Sequence, residues 1–498
     1  MTPSARTSAP VAPRRLPALV VGLLGALCLV FGAAAPASAS SAAEVSIIDD
    51  ELLLGASQAE IDRDMALFAS LGVDRLRVSA FWNQLAPATD SPQKPAGFDA
   101  ANPADPGYSW EPLDRVVTSA ARNGLRVMIS ISTPAPLWAT GSGAEQPNKV
   151  LRPDPAEFGA FTQAVVARYA PLVDHWGISN EPNQGVWLQP QSGRRGLVAP
   201  HIYRALVQAS YPRIKAADPA DSVALVGELA ASGVDKRGAT ASIRPLRFLR
   251  AMACVDKRYR PIRRGRCKGF SPIPLDAIGH HPYQLLLAPT LRSRKRDDAA
   301  INDGRRLLKV IDRLVRVGAL KPSAGSRPKV YYTEFGYQTN PPDPFAGVSL
   351  RTQSRYLQQA AHIAYRTPRV LGFNQFRLSD GGLKGVGPSR FEEFQSGLLF
   401  RSRKAKPSYR AFPNPFVITR DRFWGQVRPG GRHSVTVQHR RTARGRFRTV
   451  AKVLTNARGY FAFRLPGRRA GEYRYRYTEP AGRSTVLRVG ALRGWRGR

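Results

Sequence analysis

From Ser46 to Phe412 short apolar or β-branched runs alternate with stretches whose apolar residues recur every three or four positions. Runs of the first kind read as buried strands and stretches of the second as amphipathic helices. The strand pattern occurs at Val45 to Ile48, Val73 to Val78, Leu125 to Ile131, Val173 to Ile178, Ser222 to Val226, Leu275 to Ile278, Val330 to Thr333 and Val370 to Phe376. Helices are expected over Glu60 to Leu71, Pro112 to Asn123, Pro155 to Ala170, His201 to Ala217, Pro245 to Met252, Ala299 to Val317 and Thr352 to Tyr365. Strand and helix alternating in this way predict a parallel sheet wrapped by helices, and eight strands with intervening helices predict a closed (β/α)8 barrel rather than an open sheet. No glycine-rich phosphate loop follows any run, which speaks against nucleotide binding, and no cofactor is called for.

The pattern changes after Pro413-Asn414-Pro415. Segments such as His433 to Gln438, Thr449 to Leu454, Tyr460 to Leu465 and Tyr473 to Tyr477 alternate inward and outward residues between glycine-containing turns. They predict a small all-β sandwich over 416–498, behind a barrel domain over 40–415. Residues 416–498 hold 21 Lys or Arg against Asp421, Glu472 and Glu479.

At the other end, Arg14 and Arg15 precede an apolar run from Leu16 to Phe31 and a small-residue stretch ending Ala37-Ser38-Ala39. This is the form of a secretory leader cut after Ala39, and it predicts a secreted or wall-associated chain with no membrane segment once the leader is gone. The rival is an uncleaved anchor, for which the run is short. Cys28 falls within the leader, leaving Cys254 and Cys267 in an oxidising compartment, where one disulfide closing a short Lys- and Arg-rich loop is expected. A metal site there is the weaker reading, since no His or third Cys stands at ligand spacing.

The formal charge of +39 fits attraction to an anionic envelope polymer as well as a merely basic solvated surface. No helix-turn-helix, zinc ligand set or aromatic ladder points to nucleic acid. The pattern does not address oligomeric state.

In a barrel of this kind chemistry sits at the C-terminal ends of the strands. Two carboxylates stand there: Glu181, in Ser179-Asn180-Glu181-Pro182-Asn183 after the fourth run, and Glu334, in Thr333-Glu334-Phe335-Gly336 after the seventh. Carboxylates facing each other across one cavity are what glycosidic bond cleavage requires, one protonating the leaving oxygen and the other attacking or stabilising the sugar cation.

Asn180-Glu181-Pro182 after strand four and a Glu after strand seven resemble the clan A glycoside hydrolases, retaining enzymes on (β/α)8 barrels that include cellulase-like and β-xylosidase-like members. Further matches are Arg77 at the end of strand two, the Trp138 segment after strand three, His281-Pro282-Tyr283 after strand six and Gln395-Ser396-Gly397-Leu398-Leu399 near the barrel's close. The resemblance spans about residues 45–412. It implies hydrolysis of O-glycosyl bonds in an oligo- or polysaccharide, with Glu181 as general acid/base, Glu334 as nucleophile and Asn180 near the sugar 2-hydroxyl. Arg77, His281, Tyr283 and Trp138 are the other expected substrate-side residues. On this reading Arg77 keeps Glu334 ionised, Tyr283 donates a hydrogen bond to it and Glu181 carries a proton.

Each assignment has a plainer rival. Glu181 could cap a helix, Glu334 could belong to a buried ion pair, and Arg77, His281 and Tyr283 could be satisfied core residues. Trp82, Trp138 and Trp187 could stack on sugar or simply pack. Glu228, after strand five, is a further acidic candidate. The segment Phe373-Asn374-Gln375-Phe376-Arg377 lacks the Trp with which many clan members end strand eight, and Ser132-Thr133-Pro134 stands where cellulase-like members carry a His. The alternative to an enzyme is a catalytically silent carbohydrate-binding or envelope-adhesion protein on the same scaffold.

Overall fold

The structure, a computed structural model, describes residues 39–142, 145–217, 222–323 and 327–491. The expected leader and Cys28 lie outside the described residues, apart from Ala39. Among the described residues no helix is long and apolar enough to cross a membrane.

Eight parallel strands close into a barrel. They are β1 (Glu44–Ile48), β2 (Arg75–Phe81), β3 (Arg126–Ser132), β4 (Val173–Ile178), β5 (Val223–Ala230), β6 (Ala277–His281), β7 (Lys329–Tyr332) and β8 (Val370–Phe376), with β8 returning to pair with β1. Helices α1 (Gln58–Ser70), α2 (Glu111–Arg122), α3 (Pro155–Tyr169), α4 (Ala199–Ala217), α5 (Pro245–Met252), α6 (Gly304–Arg316) and α7 (Leu350–Arg366) follow the first seven strands in turn. Local chemistry marks their starts. The Ser57 hydroxyl accepts from Glu60 N while the Glu60 carboxylate accepts from Ser57 N, and Asp154 caps α3 ahead of Pro155.

One expected run divides. Ile273–Leu275 pairs with Leu320–Pro322 outside the barrel, and β6 begins only at Ala277. Between them Asp276 turns its carboxylate to Ala224 N, Tyr211 Oη and Lys215 Nζ, which ends one ladder and starts the next.

Period-two alternation decides what each strand shows the barrel axis. On β2, Leu76, Val78 and Ala80 join the core beneath the helices, whereas Arg75 and Arg77 turn inward. At the N-terminal mouth Arg75 is fully buried, with Nε on Glu44 (2.7 Å), Nη1 on Val127 O (2.7 Å) and a close ion pair to Asp174. Above it a small apolar layer of Met128, Leu225, Ala277 and Tyr331 stands apart from the main core. Polar side chains above that layer form the candidate site.

The β domain consists of β9 (Phe416–Thr419), β10 (Arg422–Gln426), β11 (Ser434–Arg440), β12 (Arg448–Leu454), β13 (Tyr460–Arg464), β14 (Gly471–Thr478), β15 (Ala481–Arg483) and β16 (Leu487–Val489). One sheet runs β9-β10-β13 and the other β12-β11-β14-β15, with β16 also on β14. Phe416, Phe423, Phe461, Tyr473 and Tyr475 fill the space between them. This domain docks beside the barrel's N-terminal end. Tyr460 Oη donates to Ala43 O (3.1 Å), Asn456 Nδ2 to Ser41 O (2.8 Å), and Arg458 pairs with Asp74 (2.9 Å). The Trp424 ring packs against His362 and Tyr365 of α7.

Candidate active site

The barrel's C-terminal mouth brings together Arg77, Asn180, Glu181, Glu228, His281, Tyr283 and Glu334. Backbone geometry aims the residues after β4. Ser179 N donates to Ile131 O (2.8 Å), Asn180 N to Ser132 Oγ (3.1 Å) and Glu181 N to Glu228 O (3.2 Å). Ser179 and Glu181 take positive φ angles of 63° and 37°, a costly conformation for residues with side chains that tends to occur at functional sites.

Arg77 lies within β2, not at its end, and is buried on the axis. Its guanidinium serves three residues: Nε and Nη2 bind the two oxygens of Glu228 (3.2 and 3.1 Å), Nη1 binds Glu334 Oε1 (3.0 Å) and Nη2 also binds Asn180 Oδ1 (3.0 Å). Tyr283 Oη donates to Glu334 Oε2 (3.0 Å), as expected. His281, the last residue of β6, places Nδ1 2.9 Å from Glu181 Oε1 and 3.4 Å from Glu334 Oε2, so one ring nitrogen bridges both carboxylates. One oxygen of Glu181 and one of Glu334 lie within 4.8 Å of each other. The two side chains keep some exposure, 18% and 11%, which leaves the pair open to the mouth.

The electrostatics differ from the sequence expectation at Glu334. Burial pushes its carboxyl above the ordinary value; His281 and Arg77 oppose the rise and Glu181 adds to it. Arg77 cannot offset the burial alone because its charge is shared with Glu228. Burial raises Glu228 too, but Arg77 and His281 outweigh it and hold this carboxyl below its ordinary value. The His281 imidazole rises despite burial, because Glu334 and Glu181 flank it. Burial and both glutamates keep the Tyr283 phenol far from ionisation.

Glu228 is the residue whose place the sequence understated. It lies inside β5, at a bulge where Gly227 pairs with Gly279 and Leu229 with His280. The extra residue, at φ 45°, turns its fully buried carboxylate inward to Arg77 and to the Ser130 hydroxyl. Glycines make the room: a Cβ on Gly279 would meet Glu228 Cγ at 2.6 Å, and one on Gly177 would meet Oε1 at 2.9 Å.

The tryptophans go elsewhere or to the rim. Trp82 is wholly buried, stacked on Phe161, so it has no face for a sugar. Trp138 packs edge-on to Trp82 and Phe98, with its indole N–H on Pro87 O (3.0 Å). Trp187 is partly exposed and stacks on Phe81 at the end of β2. At the end of β8, Phe376 stands edge-on to Tyr283.

Cys254 and Cys267 are joined, with Cα atoms 5.6 Å apart. His201 lies beside them in space, a proximity the linear spacing could not show, but both sulfurs are used in the bridge. Glu181, His281 and Glu334 could offer three atoms to a cation, yet Arg77 and Tyr283 already occupy the Glu334 oxygens.

No family model and no curated protein matches the chain. Among solved structures it is similar to a family 39 glycoside hydrolase from the gut symbiont Bacteroides cellulosilyticus WH2, at 15% identity over 85% of this chain and 79% of that one, with a TM-score of 0.49. It is also similar to the GH39 enzyme from Xanthomonas axonopodis pv. citri, at 15% identity over 90% and 94%, with a TM-score of 0.48. The class of protein defined here is therefore the one its own strand register gives: a (β/α)8 barrel followed by a β domain.

Proposed function

We propose that the chain is a retaining glycoside hydrolase acting by double displacement. The observation that carries this reading is that one Glu181 oxygen and one Glu334 oxygen lie within 4.8 Å of each other at a partly open barrel mouth, both within reach of His281 Nδ1. Retaining enzymes hold their two carboxyl groups about 5 to 5.5 Å apart, while inverting enzymes leave about 6.5 to 9.5 Å for a water molecule. Glu334 attacks the anomeric carbon, and its two oxygens are oriented by Arg77 and Tyr283. Glu181 protonates the departing oxygen. Its Oε1 is engaged by His281 Nδ1, which leaves Oε2 to carry that proton. After the leaving group departs, Glu181 takes a proton from the water that opens the glycosyl ester. Asn180 turns Oδ1 to Arg77, leaving its amide N–H groups for the sugar 2-hydroxyl. Export through the expected leader and retention on an anionic envelope polymer complete the proposal.

The test compares Glu334→Ala and Glu181→Ala on aryl glycosides with a good leaving group. Glu334→Ala should lose nearly all turnover, with azide restoring some through direct, inverting attack. Glu181→Ala should form the glycosyl-enzyme and stall, with azide relieving the stall and giving the retained configuration. Wild-type rates in both variants, on a substrate the parent cleaves, would overturn the assignment. A parent inert on a broad glycoside panel would favour the silent binding protein.

A further inference from the structure

The outer face of the larger sheet in the β domain carries charge out of proportion to its carboxylates. Strand register places Arg474 and Arg476 of β14, Arg440 of β11, Lys452 of β12, Arg483 of β15 and Arg488 of β16 on that face, against Glu472 alone. Arg440 is paired with Glu472, and Asp421 of the smaller sheet with Arg464. Among the described residues Arg474, Arg476 and Arg483 have no ion-pair partner, and together they line an open groove.

Arg476 and Arg483 are direct cross-strand partners, an arrangement in which like charges destabilise a sheet. Burial and then the nearby charges of Arg483, Arg476 and Arg440 depress the Arg474 guanidinium below its ordinary value, as an uncompensated cluster should. The aromatic residues of the same strand, Tyr473, Tyr475 and Tyr477, all point into the core. The face therefore lacks the row of exposed rings on which unpaired bases or neutral sugars stack. Phe447 is no exception, since the guanidinium groups of Arg440 and Arg474 lie over its ring.

We infer that the groove lined by Arg474, Arg476 and Arg483 is a binding site for an acidic polysaccharide, a glycan chain bearing carboxylate or sulfate groups at regular intervals. The ligand supplies the counter-charge that the sheet lacks, and binding rests on charge complementarity, not on stacking. That the anionic polymer is a glycan rests on the glycosidase reading of the barrel; the anion site itself does not.

The test measures binding of the purified chain to polygalacturonate, dextran sulfate, neutral dextran and a single-stranded DNA oligomer across a salt series. Polygalacturonate and dextran sulfate separate the two anion chemistries, and neutral dextran should not bind. The triple variant Arg474→Gln, Arg476→Gln, Arg483→Gln should bind acidic glycan at least about tenfold more weakly at 0.1 M salt and show a flatter salt dependence by about two units of slope. A control triple with the same charge loss, Arg292→Gln, Arg294→Gln, Arg296→Gln on an exposed barrel loop, should lose under about threefold. If the first triple fails to fold, Arg483→Gln alone on its short edge strand should lose about threefold while Arg294→Gln alone loses almost nothing, and equal losses in these two would overturn the site.

Equal losses in the two triples would reduce the effect to net charge and overturn the site. Tighter binding of DNA than of either acidic glycan would overturn the ligand class. No binding of the parent to any polyanion would overturn both. Because binding is read without turnover, a parent that binds acidic glycan and cleaves nothing would leave this site standing and remove the glycosidase reading.

Discussion

Glu228 shows most clearly how one residue shapes the site. Its carboxylate takes two of the Arg77 hydrogen bonds, so the arginine orients Glu334 while giving it only part of a positive charge. In Glu228→Gln the shape is kept and the opposing charge is gone. Arg77 then favours ionised Glu334 more strongly, and the acidic limb of kcat/KM should move to lower pH by about one unit. An unchanged acidic limb in an active variant would show that Glu228 is only packing. Gly279→Ala forces a Cβ into the Glu228 side chain and should lower stability by about 1 to 3 kcal/mol, read as a drop in the urea midpoint. The sequence did contain a signal for this arrangement, in Gly177, Gly227 and Gly279 flanking an acidic residue on adjacent strands. The bulge between Gly227 and Leu229 hides it, because it breaks the alternation and places Glu228 just past the end of the run that the pattern gives. Trp82 was misleading for the opposite reason. Its position after β2 fits a sugar platform, and only packing against Phe161 shows that it is core.

Among the elements, nearly every strand and helix of the barrel was legible, because outer faces packed beneath helices and inner faces around the axis impose regular patterns. The hairpin β9-β10 has no such signal in the sequence: its turn at Arg420 and Asp421 carries no glycine, and Arg420 itself takes φ 55°. At the barrel's N-terminal mouth, the starts of β1, β2 and β4 are tied by Glu44, Arg75 and Asp174. Glu44→Gln leaves the buried guanidinium short of a partner and should cost about 3 kcal/mol in chemical denaturation.

The same elements set the pH response. Arg75 and Arg126 overcome burial and hold Glu44 below its ordinary value, so its contribution is full above the ordinary carboxylate range and is lost as pH falls through the folded-state value. Asp49, at the end of β1, is pushed by burial from 3.8 to about 6, so its contribution is present at low pH and is lost as pH rises toward 6. The urea midpoint should therefore be higher at about pH 5 than at pH 7.5 and should fall again below about pH 4. A midpoint rising steadily from pH 5 to 7.5 would contradict this.

In the whole molecule, the β domain packs beside the barrel's N-terminal end, away from the mouth that carries the two glutamates. Ending the chain after Phe412 would strip Trp424 from His362 and Tyr365 and remove the partners of Ala43 and Asp74. The truncated chain should melt at lower temperature and aggregate, although no residue of the proposed catalytic group is lost. The bridge between Cys254 and Cys267 closes a loop with a sequence separation of 13. Cys254→Ser with Cys267→Ser should lower stability by about 3 kcal/mol, and a thiol assay on the unfolded, unreduced chain without its leader should find almost no free thiol.

In the proposed mechanism Glu334 forms a covalent bond to sugar. The most direct test is intact mass and peptide mapping after incubation with a panel of 2-deoxy-2-fluoro glycosyl fluorides, which trap the glycosyl-enzyme of a retaining glycosidase. One added glycosyl group per chain is expected, located on the peptide containing Glu334 and absent from Glu334→Gln. Labelling of Glu181 or Glu228 instead, or no label from any sugar whose ordinary glycoside the chain turns over, would contradict it.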